Sequence, residues 1–149
     1  MQLTEHFTLE EMTVSEAAPR FGIDNSCPSV LIPNLVKTAM HLEAIRTLLK
    51  TPINVVSGYR RPELNKIIGG SDNSAHLLGL AVDIYCPRFG SPAMTAILIN
   101  DNIEKLEVDQ VILEFGRWVH VGYSTEWPPR NAALTIRNKN EGYLRGILV

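Results

Sequence analysis

Two histidines and two carboxylates in this 149-residue chain carry the spacing of a chemical site. His76 stands seven residues before Asp83 inside the stretch SGYRRPELNKIIGGSDNSAHLLGLAVDIY, Ser57 to Tyr85, and the later EFGRWVH supplies Glu114 and His120. Two imidazoles and one carboxylate can hold a metal, with a second carboxylate left over. Zinc takes neutral imidazole nitrogen and carboxylate oxygen at about 2.0–2.2 Å, and catalytic sites commonly use three protein ligands and leave the fourth position to water. Water held there has its pKa lowered to about 7, which makes a hydroxide nucleophile available near neutrality. The ligand candidates are therefore His76, Asp83 and His120, and one zinc ion is the expected cofactor. His-x6-Asp on its own is a weak signal, since Asp83 could equally cap a loop, so the surrounding elements have to decide.

Those elements can be read from local pattern. Ile53 to Val56 is a short β-branched run and reads as a strand. Pro62 suits the first turn of a helix that Gly69-Gly70 would end. Residues 71–74 read as loop, Gly79 as the residue that permits a tight backbone path, and Ala81 to Tyr85 as a second strand from which Asp83 projects. Val108 to Glu114 and Trp118 to Tyr123 form a hairpin whose loop length matters. Side chains alternate faces along a strand. A three-residue loop, Phe115-Gly116-Arg117, pairs 114 with 118 and brings Glu114, Trp118 and His120 onto one side; a two-residue loop sends His120 to the other. The chemistry needs the first arrangement.

The remaining segments supply a core. Thr8-Leu9-Glu10-Glu11 has the form of a capping box, so a short helix begins near Leu9. Pro19 to Pro33 is broken by glycine, asparagine and proline and reads as an irregular wrap. From Asn34 the residues Leu35, Ala39, Leu42, Ile45 and Leu49 recur at helical spacing, and the helix stops before Thr51-Pro52. His41 on that helix reads as a packed side chain, not a ligand. Ser91-Pro92 is an N-cap and first-turn proline for a helix reaching about Asn100. Ala132 to Ile136 reads as a strand, followed by a polar turn at Lys139 to Gly142 and an apolar end.

Composition excludes several classes. With 45% hydrophobic and 20% charged residues and a net charge of −2, the chain has no electrostatic footprint for nucleic acid or an anionic membrane. No apolar run approaches the roughly 18 residues of a membrane span. The polar, acidic MQLTEHFTLEE does not read as a signal peptide. Cys27 and Cys86 form no C-x-x-C pair and read as free thiols. There is no internal repeat, so one domain over residues 1–149 is expected.

The order Ser57-Gly58-Tyr59-Arg60, then Ser74-Ala75-His76-Leu77-Leu78-Gly79-Leu80-Ala81-Val82-Asp83, then Glu114 to His120, resembles the zinc D-Ala-D-Ala carboxypeptidase family. That family includes phage endolysins cutting L-Ala–D-Glu bonds, and the Hedgehog signalling fold shares its metal site. FTLEEMTVSEAAPRFGIDN and the helix ending HLEAIRTLLK extend the similarity over the N-terminal half. The resemblance implies zinc on His76, Asp83 and His120 and an Arg60 that reaches into the cleft. A fixed guanidinium there could clamp a substrate carboxylate or stabilise an oxyanion. Glu114 is the candidate general base, six residues before His120 as in the Hedgehog-type arrangement, whereas several dipeptidases and endolysins carry their glutamate three before. Trp118 stands where some relatives have a polar or acidic group; it is either a cleft wall against substrate or core. Ser74 either orients the loop or binds substrate.

The expectation is thus an α+β fold in which a small antiparallel sheet carries the zinc ligands and helices pack on one side. The expected activity is hydrolysis of an amide bond in the peptide stem of bacterial peptidoglycan, of carboxypeptidase or endolysin type. A zinc-stabilised binding module without turnover is the alternative. The expected partner is the stem peptide, with no nucleic acid or membrane, and the protein is expected to be a monomer. It would be made in the cytoplasm without a signal peptide and, if a phage lysin, act on the cell wall.

Overall fold

Thr8 caps the first helix. In the computed structural model, which describes residues 1–149, Thr8 Oγ1 accepts from the Glu11 amide at 3.1 Å and the Glu11 carboxylate accepts from the Thr8 amide at 3.3 Å. This capping box opens α1 (Leu9–Met12), and α2 (Ala17–Arg20) follows, overlapping the start of the stretch from Pro19 to Pro33 read as irregular. The main helix, α3 (Ile32–Leu49), begins two residues earlier than its apolar spacing suggests. Pro33 lies in its first turn, where a missing N–H costs nothing because that group has no intrahelical partner. It ends at Lys50 in the left-handed conformation, φ 57°, ahead of Pro52. Its buried residues are Leu35, Thr38, Ala39, Leu42, Ile45 and Leu49, so the helical spacing of the sequence is the core stripe. Each leucine or isoleucine fully buried there stabilises the fold by about 1.5–3 kcal/mol relative to exposure.

Two further helices, α4 (Pro62–Ile67) and α5 (Pro92–Asp101), start on prolines. Ser91 caps α5, its hydroxyl accepting from the Met94 amide at 3.2 Å. Six strands form one sheet: β1 (Asn54–Ser57), β2 (Ala81–Tyr85), β3 (Gln110–Glu114), β4 (Trp118–Gly122), β5 (Ala132–Ile136) and β6 (Tyr143–Arg145). Their order is β1-β2-β4-β3-β5-β6, antiparallel throughout except that β5 joins β3 in parallel. The fold is α+β, and the sheet is mostly antiparallel as expected. The parallel pair arises because residues 123–131 cross the start of β3 at one end of the sheet, from Gly122 on one side of Gln110 to Ala132 on the other, so β5 sets out in the direction of β3. The three-residue β6 falls where the sequence shows only a polar turn and an apolar end.

The two faces of the sheet do different work. Val82, Ile84, Val111, Leu113, Val119 and Val121 point into the core, where they join Leu35, Ala39, Leu42 and Ile45 of α3 and Ala96 and Ile99 of α5. The alternate residues point the other way and floor a cleft of about 720 Å³. They include Asp83, His120, Ile112, Glu114 and Trp118. Both cysteines are free thiols, and burial pushes Cys86 up to about 11.

Candidate metal centre and cleft

The β3–β4 hairpin closes with Phe115-Gly116-Arg117 as its loop and pairs Glu114 with Trp118, Ile112 with His120. Positive φ at both Phe115 and Gly116 makes the tight reversal. On the other side of β4, His120 pairs directly with Asp83 of β2. Residues directly opposite in an antiparallel pair share a face. One row of register contacts therefore brings Asp83 and His120 together, and the next brings in Glu114.

His76 arrives from a loop, and three neighbours set its position. It lies in a 3-10 turn (Ala75–Leu78) whose N-cap is Ser74, the hydroxyl accepting from the His76 amide at 3.2 Å. Gly79 ends the turn in the left-handed conformation, φ 72°. The turn is tied to α3: Thr38 Oγ1 donates to the Gly79 carbonyl at 2.7 Å, and Asn34 Nδ2 to the Leu78 carbonyl at 2.8 Å. A β-carbon on Gly79 would press against Leu35, so the turn lies directly on that helix.

The donor atoms of His76, Asp83 and His120 all lie within 4.8 Å of one another. His76 Nε2 is 3.3 Å and His120 Nδ1 is 3.1 Å from Asp83 Oδ1. Donors placed 2.0–2.2 Å from a tetrahedral ion are about 3.3–3.6 Å apart, so the cluster is close to ligand spacing as it stands. His76 Nδ1 sits 2.8 Å from the Gly58 carbonyl, which can only accept, so Nδ1 carries the proton and Nε2 presents its lone pair to Asp83. A lone pair facing an ionised oxygen is repulsive unless a proton or a cation lies between them. The second-nitrogen hydrogen bond to a carbonyl is also the usual way a metal-ligating imidazole is oriented. By donor type, spacing and orientation the three residues fit zinc.

Electrostatics agree with that fit for two of the three residues. Burial pushes the Asp83 carboxyl up, but the two imidazoles outweigh it and hold it well below the usual carboxylate range. Burial pulls His76 down, against the opposing pull of Asp83, so the imidazole favours the neutral form. For His120 burial acts downward as well, yet its hydrogen bond with Asp83 and the charges of Asp83 and Glu114 raise it. Asp83 and His76 thus favour the carboxylate and neutral imidazole that a divalent ion needs, while an ion binding His120 displaces a proton from it.

Glu114 stands beside this cluster, and burial pushes its carboxyl upward, with the negative charge of Asp83 adding to the shift. Trp118 Nε1 donates to Glu114 Oε1 at 2.7 Å. Trp118 is half-buried, lines the cleft, and meets Phe115 edge-to-face at 5.7 Å between ring centroids. It is cleft wall, not core. Arg60 is buried at 8% exposure and its guanidinium faces the cluster, with Nη2 3.9 Å from Asp83 Oδ2 and 3.5 Å from Ser57 Oγ. Its Nη1 donates to Asn65 Oδ1 at 2.9 Å. Arg61, by contrast, is on the surface and pairs with Glu63 at 3.2 Å.

Two asparagines that hold the site gave no signal in the sequence. Asn65, 2% exposed, anchors Arg60 and donates through Nδ2 to the Ser71 carbonyl at 2.9 Å. Asn25 bridges Thr13 and Tyr59 carbonyls at 3.0 and 2.9 Å and accepts from the Arg61 amide at 2.9 Å. Gly58 is needed because a β-carbon there would collide with the Met12 carbonyl, to which the Tyr59 amide bonds at 2.7 Å. His41 stacks on Tyr123 at 4.2 Å and takes no part in the cluster. Trp127 is 76% exposed and lies outside the cleft lining.

A family model described as Peptidase M15 matches residues 5–122, a span that contains Arg60, His76, Asp83, Glu114 and His120 and ends before β5. No curated protein matches the chain closely enough to count as a relative. Since the family match takes in well over half of the sequence, including every residue of the cluster, the chain belongs to the Peptidase M15 family.

Proposed function

We propose that the protein is a zinc peptidase that hydrolyses an amide bond in the peptide stem of bacterial peptidoglycan, as a carboxypeptidase or as an endolysin. The observation that carries this reading is the convergence of His76, Asp83 and His120 on one point, with the carboxylate of Glu114 beside them in an open cleft. Family membership supports a peptidase, and the donor set supports zinc. Zinc held by His76, Asp83 and His120 supplies Lewis acidity and brings the pKa of water to about 7.

The chain's own groups do the rest. Glu114 accepts a proton from the attacking water as the new C–O bond forms, then delivers a proton to the amide nitrogen as the C–N bond breaks. The hydrogen bond from Trp118 keeps one oxygen of that carboxylate fixed, in a residue that lines the cleft. The raised pKa of Glu114 makes it a better proton acceptor than an exposed carboxylate. Arg60, held from behind by Asn65, presents positive charge to oxygen that becomes negative in the transition state, or to a substrate carboxylate. Ser74 caps the turn that carries His76.

The test is digestion of isolated peptidoglycan with mass spectrometry of the released fragments, which identifies the bond. Activity should be lost with a chelator and regained with zinc. Glu114→Ala should keep zinc and lose at least about 100-fold in rate, as expected for a missing general base. A Glu114→Ala protein as active as wild type sinks the assignment of the base. Wild-type protein that binds wall fragments without cutting them favours the binding-module reading.

A further inference from the structure

We propose that the β5–β6 hairpin binds the substrate fragment that leaves with the amine, and that Tyr143 is the residue contacting it. This rests on the peptidase reading above. Strands β5 and β6 lie beyond the residues matched by the family model, yet they complete the cleft, contributing Leu134, Ile136 and Tyr143 to its lining. The register explains how. Glu114 pairs with Ile136, and Ile136 pairs with Tyr143, so the three form one row across adjacent strands on the cleft face. At 4.7–4.9 Å per strand, the Tyr143 backbone is about 10 Å from that of Glu114, within joint reach of the two side chains.

The hairpin is held in place relative to the site. The Phe115 amide donates to the Ile136 carbonyl at 2.8 Å, so β5 is fixed at the tip of the Glu114 hairpin. On the opposite face Thr135 Oγ1 donates to the Gly146 carbonyl at 2.7 Å and accepts from the Leu148 amide at 2.9 Å, which pins the exit of β6. Tyr143 itself remains 59% exposed on the rim of the cleft. A single exposed aromatic residue is ordinary on any surface. This one is distinguished by its row. Its phenol is raised by partial burial and then by the charges of Glu114 and Asp83, which places the ring in the field of the site.

The direction of the substrate follows from proton traffic. Glu114 gives its proton to the amide nitrogen, so the residue that owns that nitrogen lies on the flank of Glu114. Asp83 and Arg60 are on the other flank, two strands away across β4. The surface beyond Glu114 and away from Asp83 is β5 and β6. It offers an apolar shelf, Leu134 and Ile136, with a phenol hydroxyl at its rim. The ligand class is a short peptide fragment with an apolar side chain and a hydrogen-bond acceptor near its end.

Kinetics are measured on the muropeptide that mass spectrometry shows to be cut, and binding of its two purified product fragments is measured by calorimetry. Tyr143→Phe should raise KM about 5-fold, the effect of one neutral hydrogen bond, and Tyr143→Ala by about 20-fold or more. kcat should stay within about twofold, as for a contact made equally in ground and transition states. Zinc content and melting temperature should match wild type, and affinity should fall for the amine-side fragment alone. Unchanged KM in both variants, or a loss confined to the acyl-side fragment, overturns the inference while the peptidase reading stands. A wild-type protein that cuts no muropeptide overturns both.

Discussion

Trp118 and Glu114 face each other as the first pair of the β3–β4 hairpin, and the indole N–H donates to the carboxylate at 2.7 Å. A tryptophan is an unusual partner for a base, because it donates one hydrogen bond and can neither accept nor release a proton in turn. It therefore orients Glu114 and lowers its pKa without competing for its proton. Trp118→Phe keeps an aromatic wall and removes only the donor. The rate should fall about 10-fold or more, as for loss of a hydrogen bond to a charged group. Zinc content should stay equal to wild type. Because the indole bond lowers the Glu114 pKa, the acid limb of the pH–rate profile should move to higher pH. A variant with unchanged rate and unchanged limb shows that Trp118 is wall alone.

The convergence of His76 Nε2 and His120 Nδ1 on one oxygen of Asp83 predicts a metal-linked stability. Zinc that binds only the folded chain adds about 2.7 kcal/mol when its free concentration is 100 times the Kd. For a chain of this size that is a rise of roughly 5–10 °C in Tm. His120→Ala should abolish the rise and leave the metal-free protein folded, read by calorimetry with and without chelator. A His120→Ala protein that still gains the full shift with one zinc bound places the ion elsewhere.

Much of the site is legible in the sequence because its logic is periodic. The apolar stripe of α3 is written at helical spacing, and the face shared by Glu114, Trp118 and His120 follows from a three-residue loop and an alternation of two. What stayed hidden is non-periodic. Asn65 and Asn25 act through single hydrogen bonds to backbone far away in the chain, and no local pattern marks such a residue. The parallel pairing of β5 and the existence of β6 depend on where a crossover returns the chain, and YLR is too short to show alternation. Even Gly58, conspicuous inside SGYR, owes its lack of a side chain to the Met12 carbonyl packed against it from a distant part of the chain.

That contact makes Gly58 a sharp test of how the site is held. A β-carbon at 58 collides with backbone, which cannot swing aside as a side chain would. The carbonyl of the same residue accepts from His76 Nδ1, so a shift there also turns a candidate ligand. Gly58→Ala should destabilise the fold by about 1–3 kcal/mol, the usual cost of overpacking, and weaken zinc binding about 10-fold or more, the usual cost of losing a second-sphere partner. Urea denaturation and a zinc titration read the two effects separately. Loss of stability with zinc affinity intact means that the Gly58 carbonyl does not orient His76.

At the far margin of the cleft, Arg130 binds Asp109 through Nε and Nη2, at 3.1 and 2.8 Å to Oδ2, and its amide donates to Oδ1 at 2.8 Å. The pair fastens the start of β5 to the strand that carries Glu114. Burial pushes the Asp109 carboxyl up, but the hydrogen bonds and charge of Arg130 outweigh it and leave it below the ordinary range. With a folded value below the unfolded one, the contribution to stability is complete above about pH 4 and is lost as pH falls through the folded value. Arg130 is two-thirds exposed, so solvent screens the charge term, and Arg130→Met should cost only about 1 kcal/mol at pH 7. The difference between wild type and variant should be smaller at pH 3 than at pH 7, since it begins to fall below the unfolded value near pH 4 and vanishes only below the depressed folded value. Denaturant unfolding at pH 7 and pH 3 decides the matter. A penalty equal at both values means that the arginine acts through the packing of its stem, and that the Asp109 charge does not hold β5 against β3.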